Sequence, residues 1–304
     1  MENTILFGNG INRLNSHNIS WNDVLDKIKG TRKFKDKDLP NTMIYERVIL
    51  EKPNLHEDIL IDEFETKVEI ADMMSGINSH ELYSKMFDLN IENYLTTNYD
   101  YAFIKGIENR EDINFPIFEY STEDVYSIRR LKRIYNAKEK KKHFWQIHGE
   151  IKKPATIMLG LDQYSGSLGK IDSFIKGYYR YSKDKERIQE ESIKTKLENN
   201  SFTEISWIEL FFNSNVHIFG FGLDYSESDL WWLLNKRARL KRSRIGNLIK
   251  NKITFYTIDI DDQRKEQLEI FDVQVEKIKV PTSNDKYIKF YDKLFKIIKS
   301  KTSL

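Results

Sequence analysis

The sequence predicts an α/β protein, a parallel sheet flanked by helices, on three observations. The chain opens on Thr4-Ile5-Leu6-Phe7, a short continuous apolar run that breaks into Gly8-Asn9-Gly10-Ile11-Asn12, as a strand buried on both faces does where it meets a glycine turn. Far along the chain, Val216-His217-Ile218-Phe219 repeats that pattern and breaks into Gly220-Phe221-Gly222-Leu223-Asp224. Further β-rich runs at 91–96, 143–147 and 253–258 each stop at polar or small residues, and stretches with apolar spacings of three and four separate them.

Composition narrows the function classes. A chain of 304 residues, 39% hydrophobic, 32% charged and 13% aromatic, can bury a substantial core beneath a heavily charged surface. Lys and Arg number 49 against 47 Asp and Glu, so no large field of one sign draws the molecule onto nucleic acid or an anionic membrane. The absence of cysteine excludes disulfides, a thiolate nucleophile, iron–sulfur clusters and Cys-ligated zinc. No apolar run reaches the ~18 residues of a membrane span, and charge and glycine stand where a signal peptide would be apolar. The expectation is a cytoplasmic protein.

Taken in order, Ser20 or Asn18 caps a helix carrying Trp21, Val24, Leu25 and Ile28, which Gly30 ends. Residues 31–90 keep helical periodicity, punctuated by Pro40 and Pro53, and are expected to be a helical insertion between two sheet strands. The run Ile91–Thr96 passes into Thr97-Asn98-Tyr99-Asp100 ahead of a helix at 101–107. Polar groups thus emerge at the strand edge where open parallel sheets bind ligands, although Asn98 and Asp100 could equally cap the helix. Arg129, Arg130, Lys132, Arg133, Lys138, Lys140, Lys141 and Lys142 form a basic run, read as a solvated face or a phosphate contact. An aromatic strand then delivers His148-Gly149, a histidine suited to acid–base work or to a structural hydrogen bond.

Ile157-Met158-Leu159 reads as a short strand before a helix, and 166–206 as a second helical insertion with mobile parts. After the Gly220 turn, Ser228 or Asp229 caps an apolar helix that runs on into the basic residues Lys236 to Arg244, again a solvated face or a partner contact. Ile253–Ile258 ends at Asp259, a carboxylate placed to hold a ribose hydroxyl or to start a turn. An edge strand within 271–280 and an amphipathic closing helix over 287–298 complete one domain.

In their order, Gly8-Asn9-Gly10, Thr97-Asn98-Tyr99-Asp100, His148-Gly149, Gly220-Phe221-Gly222-Leu223 and the Asp259 strand end resemble the motifs of the sirtuin-like SIR2 superfamily. Trp21-Asn22-Asp23-Val24-Leu25 is similar to the tryptophan-led helix after the first turn of bacterial SIR2-like proteins. The resemblance implies a Rossmann-like parallel sheet flanked by helices. Protein-deacylating sirtuins carry a four-cysteine zinc module that this chain lacks, their first turn has Ala where Asn9 stands, and Gln is usual where Thr97 stands. The departures bring it nearer to the zinc-less SIR2-like effectors of antiphage defence, which consume NAD. The first turn alone also resembles abortive-infection proteins of the AbiH type.

Carried onto this sequence, the resemblance implies a metal-free NAD glycohydrolase. Gly8, Asn9, Gly10 and Asn12 would line the NAD phosphates and nearby ribose, within a pocket that includes Thr97 and Tyr99. Asn98 would orient the nicotinamide ribose and a water, Asp100 would hold the carboxamide, and His148 would act as base. Gly220, Gly222 and Leu223 would back the adenosine half, with Asp259 near its ribose. A defence-system partner or self-assembly would switch turnover on. The competing readings are a module that senses NAD or a related nucleotide without cleaving it and, disfavoured by the missing cysteines, a protein deacylase.

Overall fold

The computed structural model describes residues 1–31, 34, 36, 39–51, 58–120, 125–136, 141–183 and 185–302. Strand β1 (Glu2–Phe7) leads through a 3-10 turn to helix α1 (Trp21–Lys29). Ser20 caps α1 in a reciprocal box with Asp23, and Gly30 closes it at φ 61°. Helices α2 (Asn41–Leu50), α3 (Ile59–Ser75) and α4 (Leu82–Phe87) follow within the stretch read as the first insertion. Pro40 stands at the N-cap of α2, and Pro53 lies outside the described residues.

Strand β2 (Asn93–Thr96) and the short helix α5 (Ala102–Lys105) precede β3 (Ile113–Tyr120), β4 (Leu131–Asn136) and β5 (Lys141–Gln146). Then come α6 (Leu161–Lys176), a hairpin of β6 (Arg180–Lys183) and β7 (Glu186–Gln189), α7 (Ile193–Asn199) and α8 (Leu210–Asn213). Strand β8 (Ser214–Phe219), α9 (Ser228–Lys241), β9 (Ile253–Thr257), α10 (Asp262–Ile270), β10 (Val273–Lys277) and α11 (Lys286–Thr302) close the chain.

The main sheet has the order β10-β9-β8-β1-β2-β5-β4-β3. All pairings from β10 to β5 are parallel, and β4 and β3 continue the sheet antiparallel. Counted in chain order, the parallel strands read 3-2-1-4-5-6, the doubly wound arrangement of dinucleotide-binding sheets, so the fold is α/β and Rossmann-like. Two buried clusters cover its faces: Ile5, Phe7, Tyr94 and Phe144 point into one with α1–α5 and α11, while Leu6, Leu95 and Trp145 point into the other with α6–α10. Burial on both faces is why these strands are continuously apolar.

Four expectations are corrected. The basic run at 129–133 is not a solvated face: Arg129, Arg130 and Lys132 are at most 4% exposed. Lys132 donates to Gln146 Oε1 and Glu150 Oε2, both at 2.8 Å, and Lys132 and Arg133 belong to β4, which charge patterning hides. Lys138 and Lys140 lie outside the described residues. Arg237 on α9 is likewise fully buried, held by Asp272 and the Asn251 carbonyl, and the helix stops at Lys241 rather than running to Arg244.

Ile157–Leu159 is not a strand; it is a buried extended segment whose Met158 N–H donates to the His148 carbonyl at 3.0 Å. The second insertion is not helical throughout, because β6 and β7 pair across a turn in which Lys185 takes φ 69°. Stacked Tyr179 and Tyr181, with ring centroids 6.0 Å apart, anchor that hairpin.

Candidate functional site

Strand order marks out a crevice where a site can form. The chain leaves the sheet in opposite directions from the adjacent strands β1 and β8, which opens a crevice at their carboxyl ends. The two glycine turns meet there: the Gly10 N–H donates to the Gly220 carbonyl at 2.6 Å, and Gly220 adopts φ 69°. A Cβ on Gly10 would lie 2.6 Å from that carbonyl oxygen and 2.5 Å from the Tyr291 hydroxyl. The glycines are therefore needed to seat one turn on the other. The Gly10 N–H is thereby committed to the Gly220 carbonyl rather than left free for the phosphates that Gly10 is expected to line.

Beneath these turns lies a cavity of about 300 Å³. Asn9, Gly10, Gly220 and Gly222 line it from the turns, Thr97, Asn98 and Tyr99 from the end of β2, and His148 from the turn after β5. The Asn98 backbone N–H is held by Thr96 Oγ1 at 3.1 Å, while its side-chain amide has no hydrogen-bond partner among the described residues. Asn9 Oδ1 is buried and also has none. An unsatisfied buried oxygen such as Asn9 Oδ1 is costly unless a ligand or water completes it. Trp21 meets Tyr99 edge-on, with centroids 5.8 Å apart, giving part of the lining an aromatic character.

Other expected residues stand elsewhere. Asp100 is 4% exposed and does not line the cavity; its Oδ1 accepts from the Ala102 N–H at 2.8 Å and its Oδ2 from Asn12 Nδ2 at 3.0 Å. It thus takes the first N–H of α5, one residue ahead of the Tyr101 N-cap, and holds Asn12, whose Oδ1 accepts from the Tyr83 hydroxyl at 2.7 Å. Burial pushes the Asp100 carboxyl up, and the Ala102 and Asn12 hydrogen bonds pull it partly back. Gly8 packs on Phe221, and Leu223 is a core residue at φ 47°. Asp259 faces a second cavity of about 680 Å³ that adjoins the first at Gly10, Arg13, Gly220, Phe221 and Gly222, and its carboxylate pairs with Lys277 at 2.9 Å.

His148 is positioned by Gly149, which takes φ 107° against the Thr156 carbonyl, a conformation and approach that a side chain would prevent. Its Nε2 lies 3.0 Å from Asp229 Oδ2 and its Nδ1 3.4 Å from Glu227 Oε2. Burial pushes the imidazole pKa down, but Asp229 and then Glu227 outweigh it and raise it to about 9. Carboxylates thus face both ring nitrogens, which favours the protonated imidazole. Glu227 lines the cavity; burial pushes its carboxyl up, and His148 lowers it in return. The Tyr164 hydroxyl donates to the same Oε2 at 3.0 Å.

Sequence reasoning missed Glu227, Asp229, Tyr164 and Arg13 as site residues. The acidic pair shows in sequence only as Glu-Ser-Asp after a glycine turn, a pattern shared with ordinary helix starts. One ligand atom each from His148, Glu227 and Asp229 lie within 4.8 Å of one another, a spacing a cation could use. Here the two carboxylates close on opposite nitrogens of the ring as ion pairs.

Residues 92–224 match the model of the SIR2-like domain family. The matched span contains Asn98, Asp100, His148 and the Gly220 turn, and it ends before Glu227 and Asp229. No curated protein matches the chain. Among the described residues, no helix is long and apolar enough to cross a membrane.

Proposed function

We propose that this protein is an NAD glycohydrolase, cleaving NAD to nicotinamide and ADP-ribose as an effector of antiphage abortive infection that a partner or self-assembly activates. The observation that carries the reading is the convergence of Asn98 and His148 on one cavity under the opening glycine turn, within a SIR2-like match. The unsatisfied Asn98 amide suits the nicotinamide ribose and a water, and the Trp21–Tyr99 wall suits the pyridine ring. Asp100 acts from behind, by holding Asn12.

Breaking the glycosidic bond builds positive charge on the ribose carbon while nicotinamide leaves neutral, so the site has to orient, stabilise that charge and admit water. Nicotinamide release from NAD, followed by chromatography with the protein alone and with the products of neighbouring genes, tests the reading. Release that survives both Asn98→Ala and His148→Ala rejects these roles.

One observation favours a second reading, a module that senses NAD without cleaving it: both nitrogens of His148 are committed to carboxylates. Calorimetric NAD binding with no product formed would select it.

A further inference from the structure

The site contains an acid–base group that the family match does not reach. Glu227 lines the cavity from the loop before α9, as Asn98 and His148 do from the sheet strands' ends. Both of its contacts fall on a single oxygen: Oε2 takes the His148 Nδ1 at 3.4 Å and the Tyr164 hydroxyl at 3.0 Å. The other oxygen, Oε1, has no partner among the described residues. On the far side of the ring, fully buried Asp229 holds Nε2 at 3.0 Å and accepts the Leu230 N–H at 2.8 Å through its second oxygen. Asp229 thus orients the ring, and the ring with Tyr164 holds Glu227 by Oε2, which leaves Oε1 of this cavity-lining residue without a partner among the described residues.

Resting on the NAD-cleaving reading, the geometry points to Glu227 as the proton acceptor for the attacking water, with His148 as the cation that positions it. The water O–H bond breaks, its proton passes to Glu227 Oε1, and the oxygen bonds to the ribose carbon. The bond from that carbon to the pyridine nitrogen breaks with its electron pair going to nitrogen, so nicotinamide leaves neutral. Glu227 then returns the proton to solvent. Before transfer, the same carboxylate faces the carbon on which positive charge develops.

The test compares wild type with Glu227→Gln, Glu227→Asp and Glu227→Ala, each first checked for an unchanged melting temperature. Expected are a loss of nicotinamide release of about 10²- to 10⁴-fold in Glu227→Gln, with NAD affinity by calorimetry within about threefold, and partial recovery in Glu227→Asp. Added formate or azide should restore release in Glu227→Ala, which a purely structural role would not allow. Wild type that releases nicotinamide while Glu227→Gln does so at a comparable rate overturns the role of Glu227 alone. Wild type that binds NAD and releases nothing, with or without its partner, overturns the cleavage reading and this inference with it. Release abolished by a chelator and restored by a divalent cation makes the cluster a metal site and also overturns the inference.

Discussion

His148 Nε2 and Asp229 Oδ2 lie 3.0 Å apart, and neither side chain is more than 2% exposed. The histidine comes from the turn after β5 and the aspartate from the first turn of α9, so this ion pair ties the carboxyl edges of two strands to one helix start. Its stabilisation has a definite pH window. The pKa of His148 in the folded chain is raised to about 9 against an ordinary ~6.5, so the contribution is complete below about pH 6.5 and is lost as pH climbs to about 9. The groups facing the ring are Asp229, Glu227 and Tyr164. Asp229→Asn should cost about 3–5 kcal/mol at pH 6, because it leaves a buried imidazolium half paired. The difference from wild type, measured by denaturant unfolding, should narrow toward pH 9; a difference independent of pH would contradict the assignment.

Two glycines that look alike in sequence should behave differently. Alanine at Gly10 drives a methyl into the Gly220 backbone and the Tyr291 hydroxyl, whereas alanine at Gly222 meets nothing within 4 Å. Gly10→Ala is expected to destabilise by about 1–3 kcal/mol, and Gly222→Ala to stay within about 0.5 kcal/mol of wild type. Thermal unfolding of the pair checks this, and equal losses would mean that the turns do not pack as described.

That contrast marks what was legible. The parallel strands announced themselves because burial on both faces demands unbroken apolar runs such as Ile5-Leu6-Phe7, and the strand-end positions Asn98 and His148 followed from them. Strand β4 did not, because its Lys132 is buried on Glu150, and a buried ion pair reads in sequence as surface. Asp100 was ambiguous between cap and ligand because the same carboxylate can serve either end; here its Oδ1 takes the Ala102 N–H at the start of α5 and its Oδ2 holds Asn12. Glu227 and Asp229 were invisible as site residues, since only the β1–β8 crevice brings them to a histidine some eighty positions earlier.

Asn98 should separate function from stability. Its side chain makes no hydrogen bond among the described residues, so Asn98→Ala breaks none and is expected to change unfolding free energy by no more than about 0.5 kcal/mol. Nicotinamide release should nevertheless fall about 10²-fold or more if the amide orients the reacting ribose and water. A variant that loses stability and activity in parallel would instead assign Asn98 to the scaffold.

Arg13 stands at the boundary of the two cavities and, among the described residues, forms no ion pair. On the proposed reading, this exposed guanidinium, which acts on the Asp23 carboxylate only at a distance and is flanked by the Gly10 and Gly220 turns, would meet the diphosphate of a ligand with one half in each cavity. A charge-assisted hydrogen bond of this type contributes about 1.5–3 kcal/mol, so Arg13→Gln should weaken ADP-ribose binding about 10- to 150-fold. Because the arginine is exposed, part of that loss should vanish at high salt, where the wild-type interaction is itself screened. Nicotinamide alone carries no phosphate, and its affinity should not change. Calorimetric titrations of both ligands at low and high ionic strength decide the matter: equal weakening of the two would place Arg13 in the shape of the pocket rather than in phosphate recognition.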